Sequence, residues 1–337
     1  MEVFVTQPLL PEGRKILQDC ATIHDNPLGR PLTEDEIIEL ASRADAFVST
    51  WAEPHRIFSR RVIQACQNLK VIGWVGVAFD HIDVDAATEA GVYVTYQDLQ
   101  CPAVADHAFG LLLCAARRLY PAVAAVRAGR WAQEGYFLLL NFMGREVHHK
   151  TIGVVGMGRI GSGVARRARG FDMRVLYYDR NRRPDLEAEL GIVPVSLETL
   201  LKESDFISCH LPLSDTTRRL FGKREFALMK KTCTFVNTGR GGVVDTEALY
   251  EALRERRIEM AALDVIDPEP LPAGHPILDL ENLILVPHMA GATHETRMAL
   301  HIAVAEDTKR VLSGFQPRKL LNREVLARRP LTIEGAA

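Results

Sequence analysis

The sequence predicts an α/β protein made of two doubly wound, parallel-sheet units. Three observations carry this expectation. Short β-branched runs alternate with stretches of helical periodicity along most of the chain. The runs fall into two series, separated by a long helix-like stretch at 103–119. A second such stretch, 295–313, follows the last run. Strands alternating with helices join through right-handed crossovers into parallel sheets, and the two long stretches read as connectors between the units. A chain of 337 residues is long enough for two cores.

The first series covers 3–6, 46–50, 70–75 and 92–95, with helical periodicity at 34–43 and 60–65. The second covers 151–155, 174–178, 206–210, 233–237, 260–264 and 283–286, with helices at 160–169 and 246–255. One domain is therefore expected to be discontinuous, 1–100 plus 288–325. The other spans 101–287, and a ligand belongs in the cleft that separates them. Residues 314–337 are basic and partly tail-like.

Lys+Arg number 41 against Asp+Glu 43, with no long basic run, which argues against bulk capture of nucleic acid or of an anionic membrane. The most apolar windows, such as 109–116, are too short to span a bilayer. The first residues lack the basic-then-apolar pattern of a secretory signal. Six cysteines, Cys20, Cys66, Cys101, Cys114, Cys209 and Cys233, show no C-x-x-C pairing. Reduced, mostly buried thiols in a cytoplasmic protein are expected. No His/Cys/Asp spacing suggests a metal, and His148-His149 reads as a solvated loop.

Gly156-Met-Gly158-Arg-Ile-Gly161 follows the apolar strand at 151–155 and opens a helix. G-x-G-x-x-G in that context is the dinucleotide-binding fingerprint of a Rossmann domain. Gly156 makes the tight turn, Gly158 lets the backbone approach a pyrophosphate, and Gly161 lets helix and strand pack closely. The phosphates would rest on the helix start near Arg159 and Ile160. Asp179, eighteen residues past Gly161, ends the next strand. A carboxylate there accepts from the adenosine ribose hydroxyls and repels a 2′-phosphate, which favours NAD(H). Arg180, Arg182 and Arg183 follow at once and leave NADP(H) open.

Three further stretches each come just after a strand: Asn237-Thr238-Gly239-Arg240-Gly241, Asp264-Val-Ile-Asp-Pro-Glu269-Pro and Pro287-His288-Met-Ala-Gly291. Ligands of open α/β sheets bind beyond the carboxyl ends of the strands, so Arg240, Glu269 and His288 can converge. Reduction of a ketone develops negative charge on its oxygen, and histidine is the side chain best matched to supply a proton near neutral pH. A carboxylate beside it favours the imidazolium form. A guanidinium can grip a substrate carboxylate and polarise its carbonyl.

In this order the motifs resemble the D-isomer-specific 2-hydroxyacid dehydrogenase family, nearest its glyoxylate/hydroxypyruvate reductase branch. The similarity runs from about Leu69 to Ser313. The resemblance implies a flavodoxin-like substrate domain beside the NAD(P)-binding Rossmann domain. It implies catalytic Arg240, Glu269 and His288, with Glu269 supporting the His288 acid/base and Arg240 gripping the substrate. The loop Val75-Gly76-Val77 would hold the substrate carboxylate on backbone N–H groups. Val104, His210, Pro212, Thr217, Thr238, Gly239, Asp264 and Gly291 join the glycine loop as cofactor-binding residues. Asp264 touches the nicotinamide amide or caps its strand. Asp80 and Asp245 are expected to hold turns or caps.

The chain departs from the family at Ala78, where Gly is common, at Gly239, where Ala or Ser is usual, and at Val104, where some relatives carry a hydroxyl. Phosphite-oxidising relatives have Lys where this chain has Val77. Formate-dehydrogenase relatives have Gln where it has Glu269. The implied reaction is hydride transfer between a nicotinamide and C2 of a small 2-oxo/2-hydroxy acid, D-specific. The alternatives are a dinucleotide-sensing binding protein of the corepressor type, or a family dehydrogenase for a different acid. Trp51, Glu53, Pro54, His55 and Arg56 are expected to shape the pocket, with Trp51 and Tyr96 either capping the substrate or simply packing. Relatives dimerise through an arm, here 120–143, whose Trp131, Tyr136, Phe137 and Leu138-Leu139-Leu140 predict a homodimer.

Overall fold

The structure is a computed structural model, and it describes residues 1–49, 57–77, 79 and 81–333. Thr50, Trp51, Glu53, Pro54, His55, Arg56, Ala78 and Asp80 lie outside the described residues. The chain divides into two compact units, Met1–Gln100 with Ala292–Ala337, and Cys101–Gly291.

The first unit holds β1 (Glu2–Val5), β2 (Thr22–Asp25), β3 (Ala46–Ser49), β4 (Val71–Trp74) and β5 (Tyr93–Thr95). They pair in the order β2-β1-β3-β4-β5, all parallel. This is the flavodoxin-like order. Successive residues face opposite sides, so each strand feeds two cores. Phe4, Phe47, Ile72 and Val94 fill one, and Val3, Val5, Val48, Val71 and Tyr93 fill the other. The helix His294–Leu312 covers the second face, against β3, β4 and β5 and the helix Pro11–Gln18.

Two features of this unit differ from expectation. Strand β2 gives no sequence signal, because it is an edge strand whose Thr22, His24 and Asp25 face water. The segment 314–333 is docked, not tail-like. Leu320 bridges Thr95, Phe315 bridges Thr332, and Val325 is fully buried. Buried Asn322 accepts from the Val94 N–H at 2.8 Å and donates to the Val92 carbonyl at 2.9 Å.

The second unit holds β6 (Thr151–Val155), β7 (Arg174–Tyr178), β8 (Val193–Pro194), β9 (Phe206–Cys209), β10 (Thr234–Asn237), β11 (Met260–Leu263) and β12 (Leu283–Leu285). The order is β12-β11-β10-β9-β6-β7-β8, again all parallel. From β6 outward this is the Rossmann order with one strand added beyond it. β9, β10 and β11 are buried throughout, as parallel strands covered on both faces should be. β8 is a two-residue exposed edge containing Pro194 and escapes sequence reading.

The helix Cys101–Ala116 packs on the helix Arg159–Arg169 and on β10 and β11. Arg118, at φ 51°, breaks the periodic stretch, and Leu119–Arg127 begins a new helix. Arg130–Glu134 and the 3-10 turn Gly135–Phe142 complete the arm. The chain leaves this unit after Gly291, a few residues later than the expected 288. Backbone bonds explain the shift: His288 N–H donates to the Asp264 carbonyl at 2.9 Å, and the next two N–H groups bond the Asp264 side chain. Among the described residues, no single helix is long and apolar enough to cross a membrane, and no cluster of His, Cys, Asp and Glu could hold a metal ion. All six cysteines are free thiols; burial pushes Cys66 up to about 11 and Cys209 up to about 12.

Candidate active site

The glycine loop joins β6 to its helix at the point where the strand order reverses, between β6 and β9. Gly156 sits at φ 95°, a backbone that side-chain-bearing residues rarely adopt. A Cβ on Gly161 would lie 2.0 Å from the Gly156 carbonyl oxygen, so only glycine lets the helix start this close to the strand. A Cβ on Gly158 would meet nothing within 4 Å, which leaves the approach to the helix start clear. Ile160 packs against the core below, while Arg159 is exposed. These features fit a dinucleotide: an open backbone surface at a helix N-terminus, with its N–H groups and dipole directed outward.

Asp179 follows β7 and is tied to this loop. Its Oδ2 accepts from Met157 N–H at 2.7 Å and its Oδ1 from Asn181 N–H at 2.9 Å. The arginines after it differ from one another. Arg182 is paired with Glu187 at 2.7 Å. Arg183 is paired with Asp185 at 2.8 Å and also donates to the Met157 carbonyl. Arg180 is exposed and has no ion-pair partner among the described residues.

His210 ends β9 and links the neighbouring loops. Its Nε2 meets Ser208 Oγ at 2.9 Å and its Nδ1 meets Thr238 Oγ1 at 3.2 Å. Burial pushes its pKa down to about 3, so the ring is neutral. Thr217 spends its hydroxyl on its own turn, donating to the Pro212 carbonyl at 2.7 Å and accepting from Ser214 N–H at 2.8 Å. Val104 is 7% exposed, inside the helix packing, and Gly291 is half-buried at the end of the unit.

The Arg240 turn is shaped by Asn237, which the sequence reading had not singled out. Buried Asn237 accepts from Gly239 N–H at 3.0 Å and donates to the Arg240 carbonyl at 3.1 Å. Gly239 is required by close packing, because a Cβ there would come within 2.8 Å of the Leu211 carbonyl oxygen. A Cβ on Gly241 would lie 2.1 Å from the Ile266 carbonyl oxygen, so the loops after β10 and β11 touch backbone to backbone. That contact draws the Arg240 turn and the segment carrying Glu269 to the same edge of the sheet.

His288 and Glu269 meet directly, Nδ1 to Oε1 at 2.6 Å. His288 has φ 50°, and Asp264 holds it there. Asp264 is 1% exposed and accepts from Met289 N–H at 2.7 Å and Ala290 N–H at 3.1 Å. Of its two expected roles, the geometry displays the strand-end clasp. Asp245 caps the helix Thr246–Arg254 by accepting from Glu247 and Ala248 N–H. The sequence gives no signal for His107, whose Nε2 lies 3.6 Å from Asp264 Oδ1.

In the first unit, Val75, Gly76 and Val77 follow β4, all partly exposed, with Gly76 at φ 143°. Among the described residues, the N–H groups of Gly76 and Val77 have no acceptor. Tyr96 packs edge-on against Phe79, ring centres 5.8 Å apart, which is the packing role expected as one of its alternatives.

Comparison with known proteins agrees with this geometry. Residues 109–290 match the family described as D-isomer specific 2-hydroxyacid dehydrogenase, NAD binding domain. A glyoxylate reductase of Korarchaeum cryptofilum is 42% identical over 329 residues, covering 97% of this chain and 98% of its own. A crystal structure of a Thermus thermophilus protein superposes with a TM-score of 0.86 at 37% identity, covering 95% of this chain and 100% of that one. An NADPH-dependent glyoxylate/hydroxypyruvate reductase of Sinorhizobium meliloti gives a TM-score of 0.82 at 26% identity, covering 96% and 98%. With the family model matched over more than half of the chain and a relative 42% identical over nearly its full length, the chain belongs to the D-isomer specific 2-hydroxyacid dehydrogenase family, enzymes that are NAD(P)-dependent oxidoreductases.

Proposed function

We propose that this enzyme is a glyoxylate/hydroxypyruvate-type reductase, moving hydride between a nicotinamide coenzyme and C2 of a small 2-oxo acid. The observation that carries the chemistry is the His288–Glu269 pair at 2.6 Å. The coenzyme, when bound, supplies or accepts the hydride. His288 donates a proton to the substrate oxygen during reduction and takes it back during oxidation. Glu269 fixes the ring through Nδ1, leaving Nε2 for the reacting proton. Arg240 draws the carbonyl oxygen and carboxylate of the substrate, polarising C2. The N–H groups of Gly76 and Val77, without an acceptor among the described residues, suit a carboxylate, and they offer donors without the bulk of a side chain. Substrate size follows the relatives, several of which are glyoxylate reductases.

NAD(H) is the proposed coenzyme. Asp179 presents a carboxylate at the end of β7, and two of the three following arginines are already committed to Glu187 and Asp185. Arg180 is the residue that would accommodate a 2′-phosphate. The proposed assembly is a homodimer through the arm. Tyr136 and Phe137 are 82% and 81% exposed, with Trp131, Leu139, Leu140 and Met143 exposed beside them, an apolar surface of the kind partners cover.

The test is oxidation of NADH and of NADPH by the purified enzyme with glyoxylate, hydroxypyruvate, pyruvate and a bulkier 2-oxo acid. Fast turnover of glyoxylate or hydroxypyruvate with NADH is expected. Tight coenzyme binding without turnover on any acid would replace the reductase with a dinucleotide-sensing protein.

A further inference from the structure

A partnerless ring nitrogen faces a buried carboxylate beneath the loop that carries His288. His107 Nε2 is buried and has no hydrogen-bond partner among the described residues. Asp264 Oδ1 lies 3.6 Å away, just past hydrogen-bond reach. Asp264 is itself buried, and its carboxylate has lone pairs beyond those used by Met289 and Ala290 N–H. A buried ring nitrogen without a partner is costly, and one short movement toward the spare lone pairs of Asp264, with the proton on Nε2, satisfies it.

The consequence reaches the chemistry through His288. That residue holds φ 50°, outside the range its side chain prefers, so the surrounding bonds must keep it there. They are its own N–H to the Asp264 carbonyl and the two following N–H groups to the Asp264 side chain. Whatever fixes the Asp264 carboxylate therefore fixes where the His288 ring meets Glu269. His107 comes from the helix Cys101–Ala116, which packs on β10 and β11 and provides a rigid anchor.

We propose that His107 is a positioning residue for the acid/base: its Nε2–H closes onto Asp264 Oδ1 in the working enzyme and holds the loop that presents His288 to Glu269. The inference deepens the reductase reading and rests on it for its kinetic test. His107 acts through Asp264.

The variants are His107→Met, which keeps bulk and helix propensity but removes the donor, and His107→Gln, which returns an N–H group near the reach of Nε2. Single-turnover hydride transfer should slow about tenfold in His107→Met, the size of one lost positioning hydrogen bond. KM for the 2-oxo acid and coenzyme Kd should stay within about twofold, because only the transition state loses support. His107→Gln should recover to within about threefold of wild type. A purely structural role would lower the melting temperature of both variants and leave the rate per active site unchanged. Wild-type speed in His107→Met, or a His107→Gln as slow as His107→Met, overturns the proposal. The bond is also read without turnover: the coenzyme-bound wild type should show a slowly exchanging, downfield imidazole N–H proton that is missing in His107→Met. If that proton is absent from wild type, the bond is refuted, whereas a wild type that shows it but reduces no 2-oxo acid refutes the reductase reading instead.

Discussion

Replacing Glu269 by Gln removes one charge from the His288 pair and keeps its shape, because the amide oxygen still accepts from Nδ1. Unit charges roughly 4 Å apart interact by about 1 kcal/mol in bulk water and about 4 kcal/mol at an effective dielectric of 20. Here the two side chains retain 33% and 41% of their exposure, so screening keeps the value to about 1–2 kcal/mol. In the oxidising direction, imidazolium forms on His288 as the alcohol proton arrives, and that stabilisation belongs to the transition state. Its loss should slow the step roughly 5- to 30-fold while coenzyme binding is unchanged. The assay is stopped-flow appearance of reduced coenzyme from a 2-hydroxy acid, with a C2-deuterated substrate showing that the observed step is hydride transfer. A Glu269→Gln enzyme within twofold of wild type, with its isotope effect intact, would refute the electrostatic role. A loss beyond a thousandfold would make Glu269 a reacting group.

His288→Ala should reduce turnover by roughly 10²- to 10⁴-fold and leave coenzyme Kd nearly unchanged; retained turnover would remove it as the acid/base. His301 is 1% exposed, accepts from Leu10 N–H at 3.0 Å through Nδ1, and burial pushes its pKa down to about 4. The unfolded chain therefore binds the proton first, so stability present above the ordinary value near 6.5 is lost as pH falls towards 4, about 2 kcal/mol by pH 5. Urea unfolding of His301→Asn, which keeps an acceptor near Nδ1, should show a shallower acid dependence than wild type, and an identical slope would contradict this account. Tyr136→Asp with Phe137→Asp should convert the proposed dimer to monomer in light scattering. A wild type that is monomeric at micromolar concentration would sink the arm as an interface.

The glycine loop and the strand-end placement of the proposed catalytic residues were legible because these are local features. G-x-G-x-x-G has one physical use after a buried strand, and Arg240, Glu269 and His288 each stand just past a strand end. Strands β2 and β8 were not legible, since an edge strand exposed to water needs no apolar pattern. The docking of 314–333 was hidden as well. It depends on Asn322 finding the β5 edge, a contact between residues more than two hundred positions apart.

By itself the sequence determined the two parallel-sheet units, the dinucleotide loop and the strand-end positions of the proposed reacting side chains. Periodicity, glycine spacing and residue chemistry are properties of short stretches, so they survive without coordinates. The tertiary structure alone decided the partnerships: Glu269 against His288, Asp264 as the clasp of the catalytic loop, Arg182 and Arg183 committed to carboxylates, and His107 facing Asp264. Hydrogen bonds and ion pairs depend on distances of a few ångströms between segments far apart in the chain. Those distances are set by how the loops after β10, β11 and β12 pack against one another and the helix beneath them.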